Sequence, residues 1–143
     1  MCERCTFGNK GKFSIFDVST GKKKKTMPEQ IQDMNAYDSQ EFVASAFSPK
    51  EERTIVTLTG EPDWQVFLWN WDRDKLIAKT SIGLQGEVQH DICNFQISYN
   101  PFDQSFSTIL VTGPNNTFVY LKQRKEENDV VFTQDHSQIN NLE

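Results

Sequence analysis

Apolar residues in this chain come in short runs, parted by polar stretches that carry glycine or proline. From Val66 to Asn70 the order is apolar, large, apolar, large, polar, which predicts a strand buried on much or all of its surface. All three tryptophans, Trp64, Trp69 and Trp71, lie in or beside this run. Asp72-Arg73-Asp74 forms a polar turn after it, and Leu76-Ile77-Ala78 opens a further strand. Upstream, Phe42 to Phe47 stops at Ser48-Pro49, because proline cannot donate to a strand ladder. Lys50 to Arg53 is a polar hairpin connection. Ile55 to Thr59 is the next strand, closed by Gly60. Glu61-Pro62-Asp63 is a turn with proline at its centre. These four strands predict one four-stranded antiparallel sheet over 42–82.

The flanks continue the pattern. Phe13 to Val18 predicts a strand with Ser19-Thr20-Gly21 as its turn. Residues 1–12 are polar, contain Gly8 and Gly11, and predict a flexible N-terminus. Lys22 to Lys25 begins a solvated edge or loop that Met27 to Ser39 continues, with at most one helical turn over Glu29 to Tyr37, since so short a segment needs tertiary support. Ile92 to Tyr99 alternates, with Cys93, Phe95, Ile97 and Tyr99 on the buried face, and ends at Asn100-Pro101. Phe106 to Thr112, Thr117 to Leu121 and Asp129 to Thr133 predict three more strands. Residues 134–143 predict a flexible C-terminal tail, with only Ile139 and Leu142 to anchor it.

The runs repeat. Phe47-Ser48-Pro49 returns as Tyr99-Asn100-Pro101, and Thr57-Leu58-Thr59-Gly60 returns as Leu110-Val111-Thr112-Gly113. Ile15-Phe16-Asp17-Val18 matches Leu68-Trp69-Asn70-Trp71. The period exceeds the ~40–45 residues of a WD blade and approaches the ~50 of a kelch blade. Four strands per repeat fit either blade. Asn70 stands where a WD pattern wants Asp, while Asp17 keeps it beside Phe16. The paired glycines of a kelch blade are missing, so a divergent WD blade is favoured over a kelch blade or an unrelated sandwich. The fold class expected is all-β: antiparallel four-stranded WD40-like blades in an incomplete propeller of about two and a half blades. These are a blade end at 13–18, a complete blade at 42–82 and a second blade at 92–133. Phe47, Leu58, Trp69, Phe95 and Tyr99 are the expected blade core.

Composition narrows the function. Twenty carboxylates against 15 Lys plus Arg give a net charge of -5, which argues against a dedicated nucleic-acid binder. No run reaches the ~18 apolar residues that span a bilayer, and Met1 to Cys5 lacks the apolar core of a signal peptide. The expectation is a soluble, intracellular chain. Three cysteines make no disulfide framework, and Asn115-Asn116-Thr117 is an idle glycosylation pattern without a secretory signal.

Candidate chemistry is sparse. His90 and His136 sit in polar segments; Asp91 and Asp135 are their neighbours in sequence, but adjacency alone makes no acid–base geometry, so no enzyme is expected. Cys2, Cys5, His90 and Cys93 would make an acceptable zinc set, but Cys93 falls on an apolar strand face, where a free cysteine is ordinary. No cofactor is expected, and a zinc-binding module is kept as an alternative. Lys22, Lys23, Lys24 and Lys25 read first as a solvated edge, since lysine discourages edge pairing. The sharper reading is contact with an acidic partner such as a tubulin surface. Trp69 reads as core between blades. Trp64, beside Asp63, is the preferred candidate for an exposed interface anchor, although packing alone accounts for it more simply.

Glu41-Phe42-Val43 through Pro49, Leu58-Thr59-Gly60-Glu61-Pro62-Asp63-Trp64, and Val66 to Trp71 together resemble a blade of the large WD-repeat proteins of motile cilia and flagella. Ile97 to Pro101, Ile109 to Gly113 and Phe118 to Leu121 extend the likeness, which covers roughly residues 13 to 122. The resemblance implies a non-catalytic scaffold of the axoneme that helps to dock inner dynein arms or regulatory complexes. It implies protein partners such as dynein-docking or tubulin-associated components. It implies neither membrane nor nucleic acid. Its propellers have more blades than this chain supplies, so missing blades or self-association are expected to cover the open sheet edges. The alternative is a truncated piece without independent function.

Overall fold

The computed structural model describes residues 3–7, 11–27, 41–60, 64–82, 95–105, 107–114 and 117–135. They form eleven strands in three antiparallel sheets, and no helix appears among them. The first sheet holds β1 (Glu3–Phe7), β2 (Phe13–Asp17) and β3 (Lys23–Met27). The second holds β4 (Phe42–Phe47), β5 (Thr54–Thr59), β6 (Gln65–Asn70) and β7 (Lys75–Ser81). The third holds β8 (Gln96–Tyr99), β9 (Thr108–Gly113), β10 (Thr117–Glu126) and β11 (Asp129–Asp135). Within each sheet consecutive strands are neighbours, a meander made by hairpins.

Strand pleating sends alternate residues to opposite faces, and in the second sheet both faces are covered. On one side Phe42, Ile55, Phe67, Trp69 and Trp71 pack with Phe13, Ile15 and Met27 of the first sheet. On the other side Ala44, Val56, Leu58, Val66, Leu68 and Ala78 pack with Ile97, Tyr99, Ile109, Val111, Val119 and Leu121 of the third. This double burial is why β5 and β6 are almost continuously apolar instead of alternating. Gln134 of β11 adds polar ties to β7, donating from Nε2 to the Thr80 hydroxyl (3.2 Å) and to the Ser81 carbonyl.

Two expectations need correction. Residues 1–12 are not wholly a loose terminus: Glu3–Phe7 forms β1, paired with β2 from Glu3 opposite Asp17 to Phe7 opposite Phe13. The alternation of Cys5 and Phe7 is too short to stand out in sequence, and the strand exists because β2 offers it a partner. The first unit is therefore a three-stranded sheet, not a single strand at 13–18. Of the two readings of the lysine run, edge or loop, the structure takes the edge: it forms the strand β3. At the far end β11 runs to Asp135, into the segment expected to fray. Residues 136–143 lie outside the described residues.

The register of the repeat is set by faces. In β5 and β6 the residues turned toward the first sheet include Ile55, Phe67 and Trp69. Their counterparts turned toward the second sheet are Ile109, Val119 and Leu121 of β9 and β10. The counterpart of Trp69 is thus Leu121 and not Lys122. Gly60 and Gly113, which line up in sequence, are one residue out of structural register, and a slip of one residue exchanges faces.

The turns repeat a polar device. The Thr54 hydroxyl donates to the Glu51 carboxylate (3.1 Å), and the Thr108 hydroxyl donates to Asp103 (2.7 Å). Each bond ties the turn before the second strand of its sheet to that strand's first residue. Asp103 also accepts from the Ser105 hydroxyl and amide (2.6 and 3.0 Å) and from the Ser107 hydroxyl (2.9 Å). The Ser105 and Thr108 hydroxyls hold its carboxyl well below the usual carboxylate range. A carboxyl depressed in the folded state stabilises fully above its unfolded value near ~3.9 and loses that effect as pH falls toward the folded value. Thermal unfolding of the parent and Asp103→Asn should therefore differ most at neutral pH. The difference should shrink steadily below about pH 4. A gap in Tm unchanged from pH 7 to pH 2 would disprove the role assigned to this carboxylate.

Candidate functional site

The lysine run sits on the outer edge of the first sheet. A turn closes before it, with Gly21 at φ 68° and its amide donating to the Asp17 carbonyl (2.8 Å). The Asp17 amide donates to the Lys22 carbonyl (2.9 Å). β3 then pairs along β2, with Met27 opposite Phe13 and Lys25 opposite Ile15, and an irregularity next to Phe16. Met27 reaches the core while the lysines occupy the free edge, where charge blunts further strand pairing.

The four lysines divide into two pairs. Lys24 lies 5.6 Å from the Trp71 ring centroid, and the Lys25 ammonium donates to the Asp72 carbonyl (3.3 Å). Both reach the second sheet, across the Trp71–Asp74 turn. Asp72 in turn pairs with Arg53 at 3.2 Å, a bridge so exposed that it contributes little. Lys22 and Lys23 remain exposed, with Lys23 6.0 Å from the Phe16 ring centroid. The sequence grouped all four. The structure leaves Lys22 and Lys23 as the outward pair.

Trp64 is not an exposed anchor. It is 4% exposed, and its ring centroid lies 4.5 Å from that of Phe95. Its backbone takes φ 46°, its amide donates to the Gly60 carbonyl (3.1 Å), and its carbonyl accepts from the Ile82 amide (3.0 Å). These bonds fold the turn back and insert the indole between the second and third sheets. A proline turn in sequence gives no sign of that reversal. Asp63 lies outside the described residues. Trp71 is also buried, with Nε1 donating to the Glu52 carbonyl (3.1 Å). Leu58, Trp69, Phe95 and Tyr99 are buried, and Phe47 is half-buried against the first-to-second cluster.

Cys5 faces the interior between the first and second sheets. Burial pushes its thiol up to about 11, against a smaller lowering by a hydrogen bond with Ser45. Cys2, His90, Cys93 and His136 lie outside the described residues. Among the described residues no group of three His, Cys, Asp or Glu could hold a metal ion.

A cavity of about 330 Å³ opens between the second and third sheets, lined among others by Ser48, Glu51, Tyr99, Ser107, Gln123 and Lys125. The Tyr99 hydroxyl is buried there, beside the Ser48 side chain. Sequence reasoning missed this cavity because its walls come from two different repeats.

Sheets of this kind, stacked face to face in chain order, are consecutive blades of a β-propeller, and the chain has that fold. In a crystal structure of a mitotic checkpoint complex, one chain superposes with a TM-score of 0.63 at 17% identity, over 93% of this chain and 34% of that one. The β-propeller domain of Cps50 (Swd1) from Myceliophteria thermophila superposes with a TM-score of 0.58 at 12% identity, over 93% of this chain and 38% of that one. By sequence the chain is similar to cilia- and flagella-associated protein 57 C of Tetrahymena thermophila, with 28% identity over 111 residues. That match covers 76% of this chain and 8% of the relative, so the chain spans a small part of its relative's length. No protein-family model matches the chain.

Proposed function

We propose that this chain is a non-catalytic WD-repeat interaction module of the cilium or flagellum, acting in axoneme assembly and in docking inner dynein arms or a regulatory complex. The similarity to a cilia- and flagella-associated protein carries the ciliary part of this reading. The blade architecture supports the scaffold part: propeller blades present edges and turns from a rigid stack, and binding surfaces favour such supports. Lys22 and Lys23, exposed on the outer edge, are the contact for an acidic surface such as that of tubulin. Further blades, or a second copy, cover the outward face of the third blade. There Leu110, Phe118 and Tyr120 hold the positions that Val56, Val66 and Leu68 hold in the second blade.

Sedimentation with demembranated axonemes tests this. The chain should pellet with axonemes at low salt, and Lys22→Glu/Lys23→Glu should pellet several-fold less. Raising ionic strength to about 0.5 M should release the parent, because exposed charge pairs are screened beyond a few ångströms. No pelleting of the parent would overturn the axonemal reading. Equal pelleting of parent and variant would overturn the lysine contact alone.

A further inference from the structure

The cavity between the second and third blades lies at the end of the stack that carries the β4–β5, β8–β9 and β10–β11 turns. Part of its wall is apolar, formed by Leu68 and Ile77 of the second blade and Val130 of the third. At about 330 Å³ it stands at the small end of ligand pockets, which run from roughly 300 to 1,000 Å³.

The polar part of the wall centres on Tyr99. Ser48 Oγ accepts from the Lys50 amide (3.3 Å) and from the Glu51 amide (3.1 Å). A hydroxyl has two lone pairs and one proton, so Ser48 meets the Tyr99 oxygen only as a donor. Burial first, and then the nearby Glu51 charge, push the Tyr99 hydroxyl above its ordinary range, against a smaller lowering by Ser48. Tyr99 therefore keeps its proton, and no described residue accepts it. A buried donor left unmade is costly, so the cavity calls for an acceptor.

The charges agree. Lys50 and Lys125 line the cavity from opposite blades, and neither ammonium has a partner among the described residues. Glu51 is the one carboxylate in the wall, and the Thr54 hydroxyl already donates to it (3.1 Å). Two cations against one anion leave a single positive charge, in a chain whose net charge is -5. One carboxylate balances it, and a carboxylate only accepts hydrogen bonds.

We infer that this cavity binds a carboxylate on a short apolar stem, the carboxylate accepting from the Tyr99 hydroxyl between Lys50 and Lys125, the stem lying on Leu68, Ile77 and Val130. A free aliphatic carboxylate and an acidic side chain of a partner share that chemistry. The site is separate from Lys22 and Lys23 and does not depend on a ciliary role.

Titration of the isotope-labelled full chain with butyrate and butyramide, followed by NMR, tests it. Butyrate should shift the Gln123 side-chain amide and the Lys50 and Glu51 backbone amides saturably. Butyramide, of like shape without the charge, should bind at least about tenfold more weakly. Tyr99→Phe should weaken butyrate by about tenfold, the loss of a hydrogen bond to a charged acceptor. Lys125→Gln changes an exposed side chain and should weaken it several-fold; it decides if Tyr99→Phe fails to fold. The peptide acetyl-Ala-Glu-Ala-amide separates the sources: tighter binding than butyrate assigns the site to a partner's acidic side chain, and weaker binding to a free carboxylate. Equal binding of butyramide, shifts that do not saturate or that lie away from the cavity, or parent affinity in Lys125→Gln would overturn the proposal.

Discussion

Trp69→Ala should lower the free energy of unfolding by about 3–5 kcal/mol, the range for removing a large buried aromatic side chain. The indole sits between the first and second blades, with ring centroids 5.5 Å from Phe67 and 5.9 Å from Phe13. Phe13 also meets Phe42 edge-on at 5.2 Å. Truncation would open a cavity bounded by two sheets, and rigid sheets collapse poorly around a void. The indole Nε1 also donates to the Thr57 hydroxyl at 2.9 Å, a buried bond whose loss leaves a polar group unpaired. Trp69→Phe keeps most of the packing and should cost only about 1–2 kcal/mol, chiefly that bond. Thermal unfolding should place Trp69→Ala on the order of 10 °C or more below the parent, with Trp69→Phe between them. If both variants unfolded with the parent, the blades would not be held together by this cluster.

Gly113→Ala is the second large effect. A Cβ there would stand 2.5 Å from Phe95 Cε1, 2.7 Å from Cδ1 and 3.0 Å from Cζ. Phe95 is buried and packed against Trp64, so its ring can yield only by moving the indole as well. The expected cost is about 1–3 kcal/mol, typical of overpacking a filled core. Gly60→Ala meets a single contact, Val43 Cγ1 at 3.2 Å, and Val43 is only half-buried, so it should cost less. Denaturant midpoints of the two variants, with equal slopes, decide the order. Phe95→Leu combined with Gly113→Ala should recover part of the loss. If Gly60→Ala proved the worse of the two, the close approach at Phe95 would not be what limits residue 113.

The two glycines also show how far the sequence could be read. They stand at like places in the repeat and each closes a strand, so the sequence treats them as one position. In the fold Gly60 meets a valine of its own blade, whereas Gly113 backs onto the ring that packs with Trp64. Strand identity depends only on runs of apolar residues, which survive a shift of one. Facing depends on parity, which does not.

The pattern of apolar runs and turns was enough to determine most strands, the antiparallel meander, the repeat and the place of Trp69 as core. Each of these follows from local pattern, with period two along a strand and glycine or proline at its ends. Only the tertiary structure decided that Glu3–Phe7 is a strand, which of edge or loop the lysine run is, and that Lys24 and Lys25 reach the next blade. It alone placed Trp64 inside, and it alone formed the cavity near Tyr99. Each of those depends on which blade stands beside which. Contacts between residues some 50 positions apart leave no mark on the local alternation from which strands are read.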